Sequence, residues 1–162
     1  MIRMTAQIIT LLLMLLLPLE VFCASNTCPT VTDFLCLVKH SSQVYKEDFQ
    51  HWWSIYHYTA NKAKKCLDDK DITVFLQLWS ANVDGECIEG LTQDTEYILI
   101  KNNKYFIQGL LGLSETERAL FIKKFCPLFD IAKCLHALET INDVHYKEVA
   151  SLIIQRIKFK CK

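Results

Sequence analysis

Apolar residues recur along most of this chain three and four positions apart, the period of an α-helix with one side turned inward. The strongest case is Phe49, Trp52, Trp53, Tyr56, Ala60 and Ala63, which draw one stripe along a helix predicted from about Glu47 to Lys65 and facing the core. Ahead of it, Thr30 or Thr32 can cap a helix whose buried side is Phe34, Leu35, Leu37 and Val38. Behind it, Asp71 can cap a short helix holding Val74, Phe75, Leu78 and Trp79, ended by the turn-forming run Asn82-Val83-Asp84-Gly85.

The middle admits two readings. Tyr97-Ile98-Leu99-Ile100 and Tyr105-Phe106-Ile107 are rich in β-formers and flank the turn-like Lys101-Asn102-Asn103-Lys104, the pattern of a hairpin. Thr92 and Asp94 are good caps, however, and Leu99, Phe106 and Leu110 keep a loose helical spacing, so helix is preferred. Ser114-Glu115-Thr116-Glu117 is a capping box that starts the next helix. Pro127 suits the first turn of another, where its missing N–H is not needed, with Leu128, Ile131, Ala132, Leu135 and Leu138 as its stripe. The last helix starts near Asn142 or Asp143 and buries Tyr146, Val149, Ala150, Ile153 and Ile157. Five or six helices joined by short connections predict an all-α fold, a disulfide-stapled antiparallel helical bundle. The alternative is α+β with one β-hairpin near 97–107.

The first 25 residues read differently. One cation, Arg3, precedes the apolar run Ile8 to Leu17, and Val21-Phe22-Cys23-Ala24-Ser25 offers small residues where a signal peptidase reads them. A run of this length, about ten residues, rises about 15 Å as a helix, half of a bilayer's hydrocarbon core, and Glu20 interrupts any continuation. Residues 1–25 are therefore expected to be a signal peptide and 26–162 a single secreted, extracellular domain, with no later membrane span. Removing 1–25 takes one cation and one anion, Arg3 and Glu20, from a chain with 18 of each, so the balance stays at zero. Such a surface does not steer nucleic acid or anionic lipid, and no nucleic-acid partner is expected.

An oxidising compartment changes what the cysteines mean. Cleavage leaves Cys28, Cys36, Cys66, Cys87, Cys126, Cys134 and Cys161, an odd number, so at least one lacks an intramolecular partner. No C-x-x-C and no zinc spacing occurs, and neither metal nor cofactor is expected. If Cys28 and Cys36 share one helix and Cys126 and Cys134 another, each pair is about 12 Å apart along its axis, beyond the roughly 7 Å that a bridge allows. The economical scheme rivets those two helices to each other twice and closes a hairpin with Cys66–Cys87. Cys161 is then left as a free or intermolecular thiol that can form a disulfide-linked homodimer.

Catalytic constellations are weak. Cys36 and His40 have a ligand-like spacing, but Cys36 is expected in a bridge; His51 and His57 lie about 240° apart around a helix. No H-E-x-x-H, G-x-S-x-G or phosphate loop occurs, and no enzymatic activity is expected. The function expected is a hormone-like or effector-like protein that presents a rigid helical surface to another protein. The alternative is an extracellular carrier of a small apolar ligand in an interhelical cavity lined by Phe49, Trp52, Trp53, Tyr56, Phe75 and Trp79.

Overall fold

The computed structural model describes residues 34–161. The expected signal peptide, the cap at Thr30 or Thr32, and Cys28 lie outside them. The described chain is all-helical: α1 (Phe34–Lys39), α2 (Ser41–Glu47), α3 (Phe49–Ala63), α4 (Asp69–Leu76), a 3-10 turn (Gln77–Ser80), α5 (Gly85–Lys101), α6 (Asn103–Leu111), α7 (Glu115–Lys124), α8 (Ile131–Glu139) and α9 (Val144–Lys160). That is more pieces than the five or six expected, because Asn102 divides a stretch that reads as one helix and Ser41–Glu47 forms a short helix that the apolar pattern does not announce.

Helix α3 begins where the Asp48 carboxylate accepts the His51 N–H at 3.0 Å. Its buried face is Trp52, Ile55, Tyr56, Thr59, Ala60 and Ala63. The predicted stripe was rotated slightly, since Phe49 is exposed and Trp53 only half-buried. Trp52 stacks on Tyr56 at 5.7 Å, and Tyr56 reaches Phe75 at 6.5 Å. The Tyr56 hydroxyl donates to Asp94 at 2.7 Å, which also takes Lys64 at 3.0 Å, so burial and this hydrogen bond push the Tyr56 phenol up.

Asp68, not Asp71, caps α4, accepting the Lys70 N–H at 2.8 Å. Helix α6 then closes tightly on α4 because position 109 has no side chain. A Cβ on Gly109 would stand 2.7 Å from Ile72 Cγ2. A second aromatic group surrounds Trp79, whose ring meets Phe121 and Phe125 edge-on at 5.4 and 5.8 Å while its Nε1–H donates to Thr95 at 3.1 Å.

Residues 97–107 are helical, which excludes the hairpin. Ile98, Leu99, Phe106, Ile107 and Leu110 are all buried at helical spacing, and that outweighs the β-propensity of their residue types. The turn-like tetrapeptide is the joint between α5 and α6, with Asn102 accepting the Tyr105 N–H. Thr92 and Asp94 are not caps: α5 starts at Gly85, whose φ of +50° ends the preceding turn, and Thr92 donates back to the Ile88 carbonyl.

The Ser114 capping box is present as read, with Glu117 N–H donating to Ser114 Oγ and Ser114 N–H donating to Glu117 Oε2 at 3.0 Å. Pro127, by contrast, does not open a helix. The chain runs non-helically from Phe125 to Asp130 and α8 starts at Ile131. The buried face of α8 is Cys134, Ala137 and Leu138, while Leu128, Ile131 and Ala132 are exposed. Helix α9 starts after Asp143 and buries Val149, Ala150, Ile153 and Ile157 against α6, α7 and α8, with Tyr146 half-buried.

The expected disulfide scheme is overturned where the described residues test it. Cys126 pairs with Cys161, and Cys66, Cys87 and Cys134 are buried free thiols. Cys36 is also disulfide-bonded, to none of the other described cysteines. Cys126 and Cys134 do not share one helix, because the break at 125–130 separates them and turns Cys126 toward the end of α9. Cys161 therefore has its partner within the chain, which removes the basis for a homodimer linked through it. No helix among the described residues is long and apolar enough to cross a membrane.

Candidate interaction surface

The segment 127–130 is shaped by one buried side chain. Glu96, on α5 and only 2% exposed, accepts backbone N–H groups from Leu128 at 2.6 Å, Phe129 at 3.1 Å and Asp130 at 2.7 Å. Three donors aimed at one carboxylate supply what an ionised group needs when it leaves water. The same capture holds the chain out of helix until Ile131. Cys126–Cys161 clamps the other end of the segment, with the two Cα atoms 5.4 Å apart.

This fixed segment faces outward. Leu128 and Phe129 are each 57% exposed, Ile131 follows at 43%, and Tyr97 on α5 stands at 48%. Between α5 and α8 lies a cleft of about 360 Å³ lined by Glu96, Tyr97, Ile100, Phe129 and Lys133 among others. It shares Ile100, Lys101 and Lys133 with a second cleft of about 490 Å³, which continues along α8 past Ala132 and His136 to Thr140. A third, of about 250 Å³, shares Asn103 and Thr140 and reaches Tyr146 on α9. Through these shared residues the three make one groove, lined by apolar side chains such as Ile100, Ala132 and Ala137 together with the cations Lys101, Lys104 and Lys133.

The rim is ordered by local bonds. Lys101 lies over the Tyr97 ring at 5.2 Å and donates to the Lys64 carbonyl at 2.7 Å, and Lys133 pairs with Asp130 at 3.0 Å. Asn103 donates to the Ala137 carbonyl at 2.6 Å, tying the start of α6 to the end of α8. Beneath the groove, burial first and then Glu96 and Asp130 push the Cys134 thiol up to about 12.

The six aromatics expected to line a ligand cavity are elsewhere. Trp52 and Phe75 are fully buried about Tyr56, with Phe49 and Trp53 at the edge of that stack, while Trp79 is buried in the separate group with Phe121 and Phe125. None lines the groove. The sequence gives no groove residue a functional role, since Glu96 lies inside a helix and its partners are backbone atoms. The disulfide at Cys36 removes the Cys36/His40 pair as a nucleophilic or metal site. Among the described residues, no three metal-ligating side chains gather. Comparison with known proteins finds no match, whether among family profiles, curated proteins or solved structures.

Proposed function

We propose that this is a secreted, non-catalytic protein that binds another protein through the groove between α5 and α8 and the apolar side chains beside it. The observation that carries the reading is the segment 128–131. Its large apolar side chains face solvent, while Glu96 and the Cys126–Cys161 bridge hold its backbone in place. Solvent-facing aromatics on a rigid backbone suit recognition, because little freedom is lost on binding.

The test is binding of the labelled protein to an array of extracellular receptor domains, comparing wild type with Tyr97→Asp and Phe129→Asp. Leu67→Asp, at another exposed apolar position, serves as the control. Saturable binding lost in both groove variants and kept in the control supports the reading; equal binding by all four refutes it. A second reading, a carrier of a small apolar ligand, draws on the cleft volumes, which fall within the range of ligand pockets. Saturable uptake of an apolar fluorescent probe that Ile100→Asp abolishes would favour the carrier.

A further inference from the structure

Helix α9 has a second apolar face. Its inner side packs on α6, α7 and α8, yet Val144, Leu152 and Phe159 point outward, 74%, 46% and 73% exposed. Residues four apart on a helix form a ridge, and here one ridge runs Val144, Glu148, Leu152, Arg156, Lys160. Leu152 is the midpoint of α9. Glu148 lies four residues before it and Arg156 four after; His145 lies seven before it and Phe159 seven after.

We propose that this face pairs with the same face of a second copy, antiparallel, about a twofold axis through Leu152. Two helices so related bring Leu152 against its own counterpart. Glu148 then meets Arg156 of the second copy, and Phe159 lies on the His145 ring, with these four residues within about 40° of Leu152 around the helix. Each contact off the axis occurs twice, as an isologous interface requires.

The charges argue for self-pairing over another occupant. Glu148 is exposed and Arg156 half-buried, and neither has an ion-pair partner among the described residues. Lys158, which would add a like charge, is already committed to Glu139 at 2.8 Å. The nearer flanking positions, Ser151 and Gln155, are uncharged. Glu148 beside the apolar midpoint disfavours an anionic lipid surface. The pairing is independent of the groove, and it needs no thiol, since Cys161 is bonded to Cys126.

One helix pair lies at the small end of interface sizes, so the dimer forms reversibly at roughly micromolar to tens-of-micromolar concentration. Sedimentation equilibrium of the oxidised full chain should show a monomer–dimer equilibrium that Leu152→Glu abolishes and Glu148→Arg weakens about tenfold or more. Glu148→Arg/Arg156→Glu should restore it. Leu152→Cys, with its thiol on the axis, should give a covalent dimer on air oxidation far faster than the exposed control Ser54→Cys. Unchanged circular dichroism establishes that each variant is folded; should Arg156→Glu fail to fold, the cysteine pair decides. A wild type that stays monomeric at 200 µM (about tenfold above the expected range), a dimer indifferent to Leu152→Glu, a folded double variant that does not recover, or equal cross-linking at positions 152 and 54 overturns the proposal.

Discussion

The carboxylate of Glu96 accepts the backbone N–H of Asp130 at 2.7 Å, across 34 residues of sequence and inside the protein. Leu128 and Phe129 donate to the same group, so one side chain sets the path by which the chain leaves α7 and enters α8. Glu96→Ala would leave three backbone donors without their acceptor. Loss of a charged acceptor and orphaning of its donors should cost about 3 kcal/mol. Urea unfolding measures it, and Glu96→Gln should lose less because one oxygen remains. A loss below about 1 kcal/mol for alanine would mean that water replaces the carboxylate without penalty.

Cys126–Cys161 closes a loop with a sequence separation of 35. The chain-entropy relation for a loop of that length gives about 4 kcal/mol of stabilisation. Cys161→Ser should lower the denaturant midpoint accordingly and release the end of α9, where fast hydrogen exchange would appear. Non-reducing electrophoresis of the wild type should show no dimer linked through Cys161. A disulfide-linked dimer that this substitution removes would contradict the pairing seen here.

The Cys134 thiol titrates near 9.0 when unperturbed and is pushed up to about 12 in the fold, chiefly by burial. The folded protein thus holds this proton more tightly than the unfolded chain. Its contribution to stability is complete below about 9, declines as pH rises through the interval, and is gone above about 12. A wild type that weakens more steeply than Cys134→Ala between pH 9 and pH 11 is the expected result, inside that interval. Burial raises Cys66 and Cys87 as well, so all three thiols should resist alkylation at pH 8, below their ordinary value of 9.0, until the protein unfolds. Rapid native labelling of Cys134 would be incompatible with its burial.

Gly109 sits where α6 crosses α4, and an added Cβ would stand 2.7 and 2.8 Å from Ile72 atoms and 3.1 Å from the Asp69 carbonyl. Gly109→Ala raises helix propensity yet should destabilise by about 1–3 kcal/mol, because two backbones must separate. A thermal melt decides the sign. A stabilised variant would show that the helices can move apart freely.

Helical class, the Ser114 capping box and the course of the last helix were legible in the sequence alone, because each rests on residues within a few positions of one another. A box needs a serine and a glutamate three apart, and the buried face of α9 needs only its own periodicity. The disulfide partners, the break at Pro127 and the exposure of Leu128 and Ile131 were not legible. The break and the exposure depend on Glu96 reaching 34 residues ahead for backbone atoms, which carry no residue identity, and the bridge depends on the packing that brings the end of α9 to Cys126. The middle of the chain was legible in part, since the helical spacing of Leu99, Phe106 and Leu110 favoured helix over the hairpin. Tyr97 to Ile107 favours strand by composition, and helix prevails there because Ile98, Leu99, Phe106 and Ile107 find a common core that only the packed neighbours provide. Local chemistry chose the helices and several of their ends. Which faces meet, which thiols touch and which apolar side chains stay in water are decided by contacts between distant segments, and those exist only once the chain has packed.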